Sequence, residues 1–184
     1  TCVPHARSWH VDGRHASIKR YQNLVMKRTV ALLMENQPGA LSRVVGLFSQ
    51  RGYNIESLIV AATEDPTLSR LTMTTSGDQK VIEQITKQLN KLIDVVKVLD
   101  LGESDYVERE LLLVKFSHGS INTEVIKELN GETIFENNEL LNIQFVGTSK
   151  ELDQVLKDLE SSNPLEIVRT GASGISSNLK TLTI

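Results

Sequence analysis

From Arg28 onward, short apolar runs alternate with stretches of helical periodicity. Thr29–Met34 (TVALLM) is apolar, carries β-branched residues and is bounded by Asn36-Gln37-Pro38-Gly39, which predicts a buried strand. Leu41, Val44, Val45 and Phe48 follow at i, i+3, i+4 and i+7 and predict an amphipathic helix, closed by Gly52 just past its last turn. Ile55–Thr63 and Leu68–Thr75 read as two strands joined by a Pro-containing turn, Glu64-Asp65-Pro66-Thr67. In the second of them Leu71, Met73 and Thr75 alternate with Arg70, Thr72 and Thr74, which predicts one core face and one wet face. Gly77-Asp78 opens a second helix with Val81, Ile82, Ile85 and Leu89 on one side, and Val95–Leu101 closes the unit as a strand. The order β-α-β-β-α-β is that of the ferredoxin-like, split-βαβ arrangement.

The same order then repeats. Glu108–Ser117 reads as a strand, Asn122–Leu129 as a short helix, and Thr133–Glu136 and Leu140–Gly147 as two strands. A helix opens at Ser149 with Leu152, Val155, Leu156 and Leu159 as its apolar stripe, and Leu165–Thr170 is the closing strand. Gly102-Glu103-Ser104-Asp105 is a short polar link. The expected architecture is therefore α+β: two consecutive ferredoxin-like domains, residues 26–102 and 105–184. Each sheet would carry helices on one face and leave the other open. Units of this size are marginal alone, so burial of open faces or strand edges in a homodimer is expected.

Residues 1–25 have neither periodicity. They hold His5, His10 and His15, the only Cys and Trp, and four basic residues against one acid. They read as a disordered or non-native leader, with Met26 as the start of the folded part. Histidines five apart do not share a helix face, which argues against a metal site there. Residues 26–184 carry 16 basic and 22 acidic side chains, an acidic balance that does not invite nucleic-acid phosphates. The βαββαβ order also describes RNA-recognition modules, but those stack bases on central-strand aromatics, and TVALLM and SRLTMTT have none. One cysteine excludes disulfide and Cys-based metal scaffolds, and no apolar run approaches the ~20 residues of a membrane helix. A cytoplasmic protein without nucleic-acid or membrane partners is expected.

Catalytic constellations are missing from the sequence. There is no GxxxxGK[ST] and no GxGxxG, and residues 26–184 contain a single histidine, His118, in a polar loop. Glu108-Arg109-Glu110 reads as surface charge or interface pairing rather than acid–base machinery, and Asp94 and Asp100 as isolated carboxylates near strand ends. No catalytic or metal-ligating residues are assigned.

The junction Asn36-Gln37-Pro38-Gly39-Ala40-Leu41 supports two readings. One is ordinary strand–turn–helix chemistry. The other is a ligand site: the N–H groups of Gly39, Ala40 and Leu41 would be free to meet an anion at a helix start, and Asn36 supplies an amide beside them. Asn54, following Tyr53, supplies a second amide at the head of the next strand. N–H donors for a carboxylate, amide oxygens for an ammonium and an apolar wall suit a zwitterionic amino acid.

MENQPGALSRVVGLF, followed by SQRGYNIESLIV, resembles the ACT domain, a ligand-binding module of amino-acid metabolism. With DPTLSRLTM, IEQITKQLNKLIDVVKV, VERELLLVK and EIVRTGASGISS added, the chain resembles the regulatory (small) subunits of acetolactate synthase, also called acetohydroxyacid synthase. The resemblance is dense over residues 26–116 and holds in pattern beyond. It implies a subunit with no active site that activates a catalytic subunit and confers feedback inhibition by valine in branched-chain amino-acid biosynthesis. Thiamine diphosphate, Mg²⁺ and FAD would belong to that catalytic partner, with no cofactor in this subunit. It further implies a valine site between two ACT domains of a homodimer, built from Asn36, Gly39, Ala40 and Leu41 of one protomer and Asn54 and Ile55 of the other. A free-standing amino-acid sensor of two ACT-like domains, acting on another partner or a gene regulator, is the alternative.

Overall fold

The computed structural model describes residues 26–103 and 105–183. The leader read over residues 1–25, with its three histidines, lies outside them. The first unit runs β1 (Met26–Glu35), α1 (Ala40–Arg51), β2 (Ile55–Ala62), β3 (Leu68–Gly77), α2 (Gln79–Leu89) and β4 (Val95–Asp100). Its antiparallel sheet has the order β2-β3-β1-β4. The second runs β5 (Tyr106–Ser117), α3 (Thr123–Glu128), β6 (Glu132–Glu136), β7 (Leu140–Gly147), α4 (Ser149–Leu159) and β8 (Glu166–Arg169), in the order β6-β7-β5-β8. Both are ferredoxin-like βαββαβ units, and the class is α+β.

Local chemistry sets the helix ends. The Asp78 side chain accepts the N–H of Val81 at 2.8 Å and starts α2. Thr148 and Glu151 form a reciprocal capping box on α4. Gly52, at φ 68°, ends α1 by donating to the carbonyls of Phe48 and Ser49. Helices α1 and α2 cover one face of the first sheet, with Val30, Leu32, Met34, Leu71, Met73, Phe48, Ile82 and Ile85 as its core. In the second unit Leu112, Val114, Phe116, Ile143 and Phe145 meet α3 and α4 in the same way.

The other face of the first sheet is not wet. Thr72 and Thr74, expected in solvent, are buried, as are Thr29, Ala31 and Leu33 on the same face. The cover comes from the far end of the chain. A further strand, β9 (Ser173–Ser176), pairs with the first residues of β5. It brings the Gly174 carbonyl to Arg70 Nη2 at 2.7 Å. Gly171 lies so close to β2 that an added Cβ would sit 2.9 Å from Ser57 Cβ, and its φ of +85° also favours glycine. Beyond β9 the tail carries Leu182 into a cluster with Ala31, Leu33 and Leu101. Two of the hydroxyls on this face pair with each other: Ser57 Oγ donates to Thr74 Oγ1 at 3.0 Å. Leu182, 6% exposed, therefore works as a strap. Leu182→Ala should cost about 2 kcal/mol, the low end for a buried leucine, read as a lower urea midpoint.

A chain of polar groups joins the two units. Thr29 Oγ1 lies 3.2 Å from the Tyr106 hydroxyl, which donates to Glu108 Oε2 at 3.0 Å. Glu108 Oε1 accepts the Ser149 N–H at 3.0 Å at the start of α4. Ser149 Oγ in turn donates to Glu110 Oε2 at 2.9 Å. Glu110, 4% exposed, holds Arg169 of β8 through two hydrogen bonds of 2.7 and 2.9 Å, and Arg169 also reaches Asp153 at 2.6 Å. Glu108 and Glu110 are thus internal mortar rather than surface charge, whereas Arg109 between them is exposed.

Candidate functional site

The β1–α1 junction is built around Gly39, the residue before α1, which sits at φ 88° with no side-chain cap. The arrangement differs from expectation at one N–H. Ala40 N–H is already spent on the Gln37 carbonyl at 3.2 Å, because Pro38-Gly39 closes a tight turn. Among the described residues the N–H groups of Gly39 and Leu41 still have no protein acceptor, and neither does that of Ser42. Asn36 is locked in place: its N–H donates to Thr67 O at 2.7 Å and its Nδ2 to Pro66 O at 2.9 Å. That leaves Asn36 Oδ1 as an acceptor. The combination is donors at a helix start with an amide oxygen alongside, which suits a carboxylate and an ammonium on one small molecule.

Asn54 and Ile55 lie elsewhere in the chain. Ile55 pairs with Thr75, which pairs with Arg28 near the beginning of β1, whereas the junction follows Glu35 at its end. Seven strand residues separate the two levels, roughly 23 Å at the usual rise. One chain cannot bring Asn36–Leu41 and Asn54–Ile55 to the same small ligand. Asn54 is exposed; its backbone carbonyl accepts Thr75 Oγ1 at 2.6 Å and its side-chain amide has no partner among the described residues. β2, which it heads, is an edge strand of the sheet. Leu41 and Val45, half of the apolar stripe expected to be core, are each 37% exposed on α1. The helix buries Ala40, Val44 and Phe48 instead.

Asp94, read from the sequence as isolated, is 1% exposed and sits beneath the junction. Its carboxylate accepts both Arg43 Nε and Nη2, the latter at 2.7 Å, and also Gln37 Nε2 at 2.7 Å. Hydrogen bonding from Arg43 holds the Asp94 carboxyl below the usual aspartate range, against the upward push of burial and with help from Gln37. Asp100 is buried too, and there burial wins: its carboxyl is raised despite the Gly102 N–H at 2.9 Å and Arg28 at 4.0 Å. Nothing in the sequence pattern links Arg43 to Asp94, 51 residues away; Arg43's place one turn after Gly39 was the sole hint.

The remaining candidates do not assemble into catalytic machinery. His118 is exposed beside Glu136 at 3.1 Å. The oxygens of Glu108 and Glu110 are committed to Tyr106, Ser149 and Arg169. No group of metal-ligating side chains occurs among the described residues, and none of their helices is long and apolar enough to cross a membrane.

Comparison with known proteins points to the same family for both units. Residues 30–97 match the family described as AHAS small subunit-like ACT domain, and residues 109–178 match that described as small subunit of acetolactate synthase. The acetolactate synthase isozyme 3 small subunit of Salmonella typhimurium is 49% identical over 156 residues, 82% of this chain and 96% of that protein. Its counterpart from Escherichia coli is 48% identical over the same length. The crystal structure of the acetolactate synthase small subunit from Thermotoga maritima superposes with a TM-score of 0.74 at 35% identity, covering 82% of this chain and 96% of that one.

Proposed function

The chain belongs to the acetolactate synthase small-subunit family, and we propose that it is the non-catalytic regulatory subunit that activates the catalytic subunit and makes it sensitive to valine. Thiamine diphosphate, Mg²⁺ and FAD belong on this reading to the catalytic partner. The observation that carries the proposal is the separation of the two half-sites. Donors and an acceptor for an amino acid stand at one end of the sheet, and a free amide, Asn54, stands at the other.

A two-fold dimer resolves the separation. β1 and β2 are parallel, since each pairs antiparallel with β3 between them. Pairing β2 with its own symmetry mate in antiparallel register places the head of the partner's β2 at the end of the sheet where Asn36–Leu41 lie. It also covers an edge strand and the exposed Leu41 and Val45 of α1. Valine would then lie between Asn36, Gly39, Ala40 and Leu41 of one protomer and Asn54 and Ile55 of the other. The ligand's carboxylate takes the N–H groups of Gly39 and Leu41, its ammonium the amide oxygens, and its isopropyl group the wall formed by Leu41 and Ile55.

Charge-assisted hydrogen bonds contribute roughly 1.5–3 kcal/mol each, and burial of the isopropyl group roughly 1.5–3 kcal/mol. After ordering costs this leaves about −4 to −8 kcal/mol, a dissociation constant between millimolar and micromolar. That range responds to a free metabolite. Because the ligand bridges two protomers, occupancy changes the dimer geometry that the catalytic subunit contacts; a coupling of about 1–3 kcal/mol suffices.

The test is calorimetric titration of the dimer with valine, with leucine, isoleucine, serine and glycine in parallel, followed by reconstitution with the catalytic subunit. Saturable valine binding and valine-sensitive activation are expected. Preference for glycine or serine, with no capture of a thiamine-diphosphate enzyme, would favour the free-standing sensor. Asn54→Ala should weaken valine binding about tenfold, one charge-assisted hydrogen bond's worth, while sedimentation still shows a dimer. Loss of the dimer would mean that Asn54 holds the interface rather than the ligand.

A further inference from the structure

The geometry points to Asp94 as the positioning residue of the effector loop, a buried carboxylate that fixes residues 35–43 before any ligand arrives. The inference rests on reading Asn36–Leu41 as that loop. Three attachments converge on Asp94. Its backbone carbonyl accepts the Glu35 N–H at 2.8 Å, where β1 ends. Its carboxylate accepts Gln37 Nε2 at 2.7 Å, in the middle of the loop. The same carboxylate binds the Arg43 guanidinium through Nε and Nη2, on the first turn of α1. Both ends and the centre of the loop are thereby tied to one residue.

The sheet is shaped to allow this. The pairing of β1 with β4 shifts register between Leu33 and Met34, so that Leu33 faces Lys97 while Met34 faces Val95. Val96 is left over in β4, a bulge of the kind that re-aims neighbouring side chains. It lies two residues after Asp94 and sets the start of β4 under the loop. The guanidinium that Asp94 holds also lies over Gly39, its Nη1 3.3 Å from where a Cβ would stand. The two-pronged Arg43–Asp94 contact is directional, so it fixes orientation as well as proximity.

A pre-formed loop spares the ligand the cost of ordering it. Asp94 does not touch the ligand in this picture; it acts through Gln37, Arg43 and the Glu35 amide. It also immediately precedes β4, the strand whose far end, at Asp100, leads through residues 101–103 to β5 of the second unit. The loop is thereby attached at the root of the strand that connects the two units.

The test compares Asp94→Asn with Arg43→Lys in the full-length dimer. Asp94→Asn keeps the shape and one acceptor but loses the charge; Arg43→Lys keeps a charge but loses the fork. Hydrogen exchange of peptides spanning residues 35–43 should become about tenfold faster in both variants without added ligand, while α4 peptides stay unchanged. Valine affinity should fall about tenfold, with activation of the catalytic subunit preserved. Unchanged exchange over residues 35–43 in both variants would overturn the positioning role whatever valine does. Faster exchange with wild-type valine affinity would overturn the link to the ligand. Should wild-type protein bind no valine, the effector reading fails, and the exchange arm still decides what Asp94 holds. If Asp94→Asn unfolds, Arg43→Lys carries the same comparison.

Discussion

Gly39→Asp is expected to abolish the response of the reconstituted enzyme to valine while leaving its activation intact. Three effects act together. The backbone at residue 39 has φ 88°, where any side chain is strained by about 1–2 kcal/mol. A Cβ there would stand 3.3 Å from Arg43 Nη1, so the new carboxylate would compete with Asp94 for Arg43. Above all, that carboxylate would sit at the start of α1 beside the Gly39 and Leu41 N–H groups and take the place of the ligand's own. Losing two charge-assisted hydrogen bonds at roughly 1.5–3 kcal/mol each lowers affinity by at least a hundredfold. The measurement is a valine inhibition curve for the reconstituted complex, with Gly39→Ala as control. The alanine carries the strain without the charge and should retain part of the response. Inhibition of the aspartate variant at wild-type valine concentrations would show that the ligand lies elsewhere.

The largest stability effect is expected at Arg169. Replacing it by alanine leaves Glu110, 4% exposed, without the cation that neutralises it, a change worth about 3 kcal/mol near neutral pH. The pH dependence gives the cause away. In the native protein burial pushes the Glu110 carboxyl up, but the hydrogen bonds from Arg169 and Ser149 outweigh it and hold the group below the ordinary glutamate value. A depressed carboxyl contributes stability above the unfolded value and loses it as pH falls through the folded one. In Arg169→Ala the burial remains and the cation is gone, so Glu110 titrates upward and is readily protonated. The difference between wild type and variant should therefore shrink toward about pH 4. Urea unfolding at a series of pH values measures it. A difference constant with pH would mean that Arg169 acts through packing alone.

Much of this architecture is legible in the sequence because local signals and apolar patterning agree. Asp78 announces the start of α2, Gly52 the end of α1, and Leu140–Gly147 is a strand with the bounds its alternation predicts. Illegible features depend on partners far along the chain. Alternating threonines on β3 look the same whether they face water or a polar-lined contact; Thr72 and Thr74 are buried because residues 171–182 return to cover them. β9 has one apolar residue in Ser173–Ser176 and forms because β5 is long enough to pair its first residues with it after β8 has paired with Leu112–Lys115. At the candidate site, the residue types at the junction were readable, and so was the glycine. The spent Ala40 N–H was not, since a turn hydrogen bond leaves no mark in composition. Asp94 looked solitary because ion pairs across 51 residues have no periodicity.

The strap formed by Leu182 has a consequence for how the protein is made. All the strands of the first sheet have been synthesised once residue 100 has been added, and its helical face can close as soon as they have left the ribosome. Ala31 and Leu33 on the other face wait for Leu182, about 80 residues later. At ribosomal rates of roughly 5–20 residues per second, that interval lasts on the order of 4–16 seconds. During it a nascent chain offers an apolar strand surface to its surroundings, and neighbouring ribosomes on one message carry identical copies. Residues around Leu182, translated well after the first sheet, thus protect the first unit from its own siblings, and a message stalled or terminated before them would release a sheet that is folded but sticky.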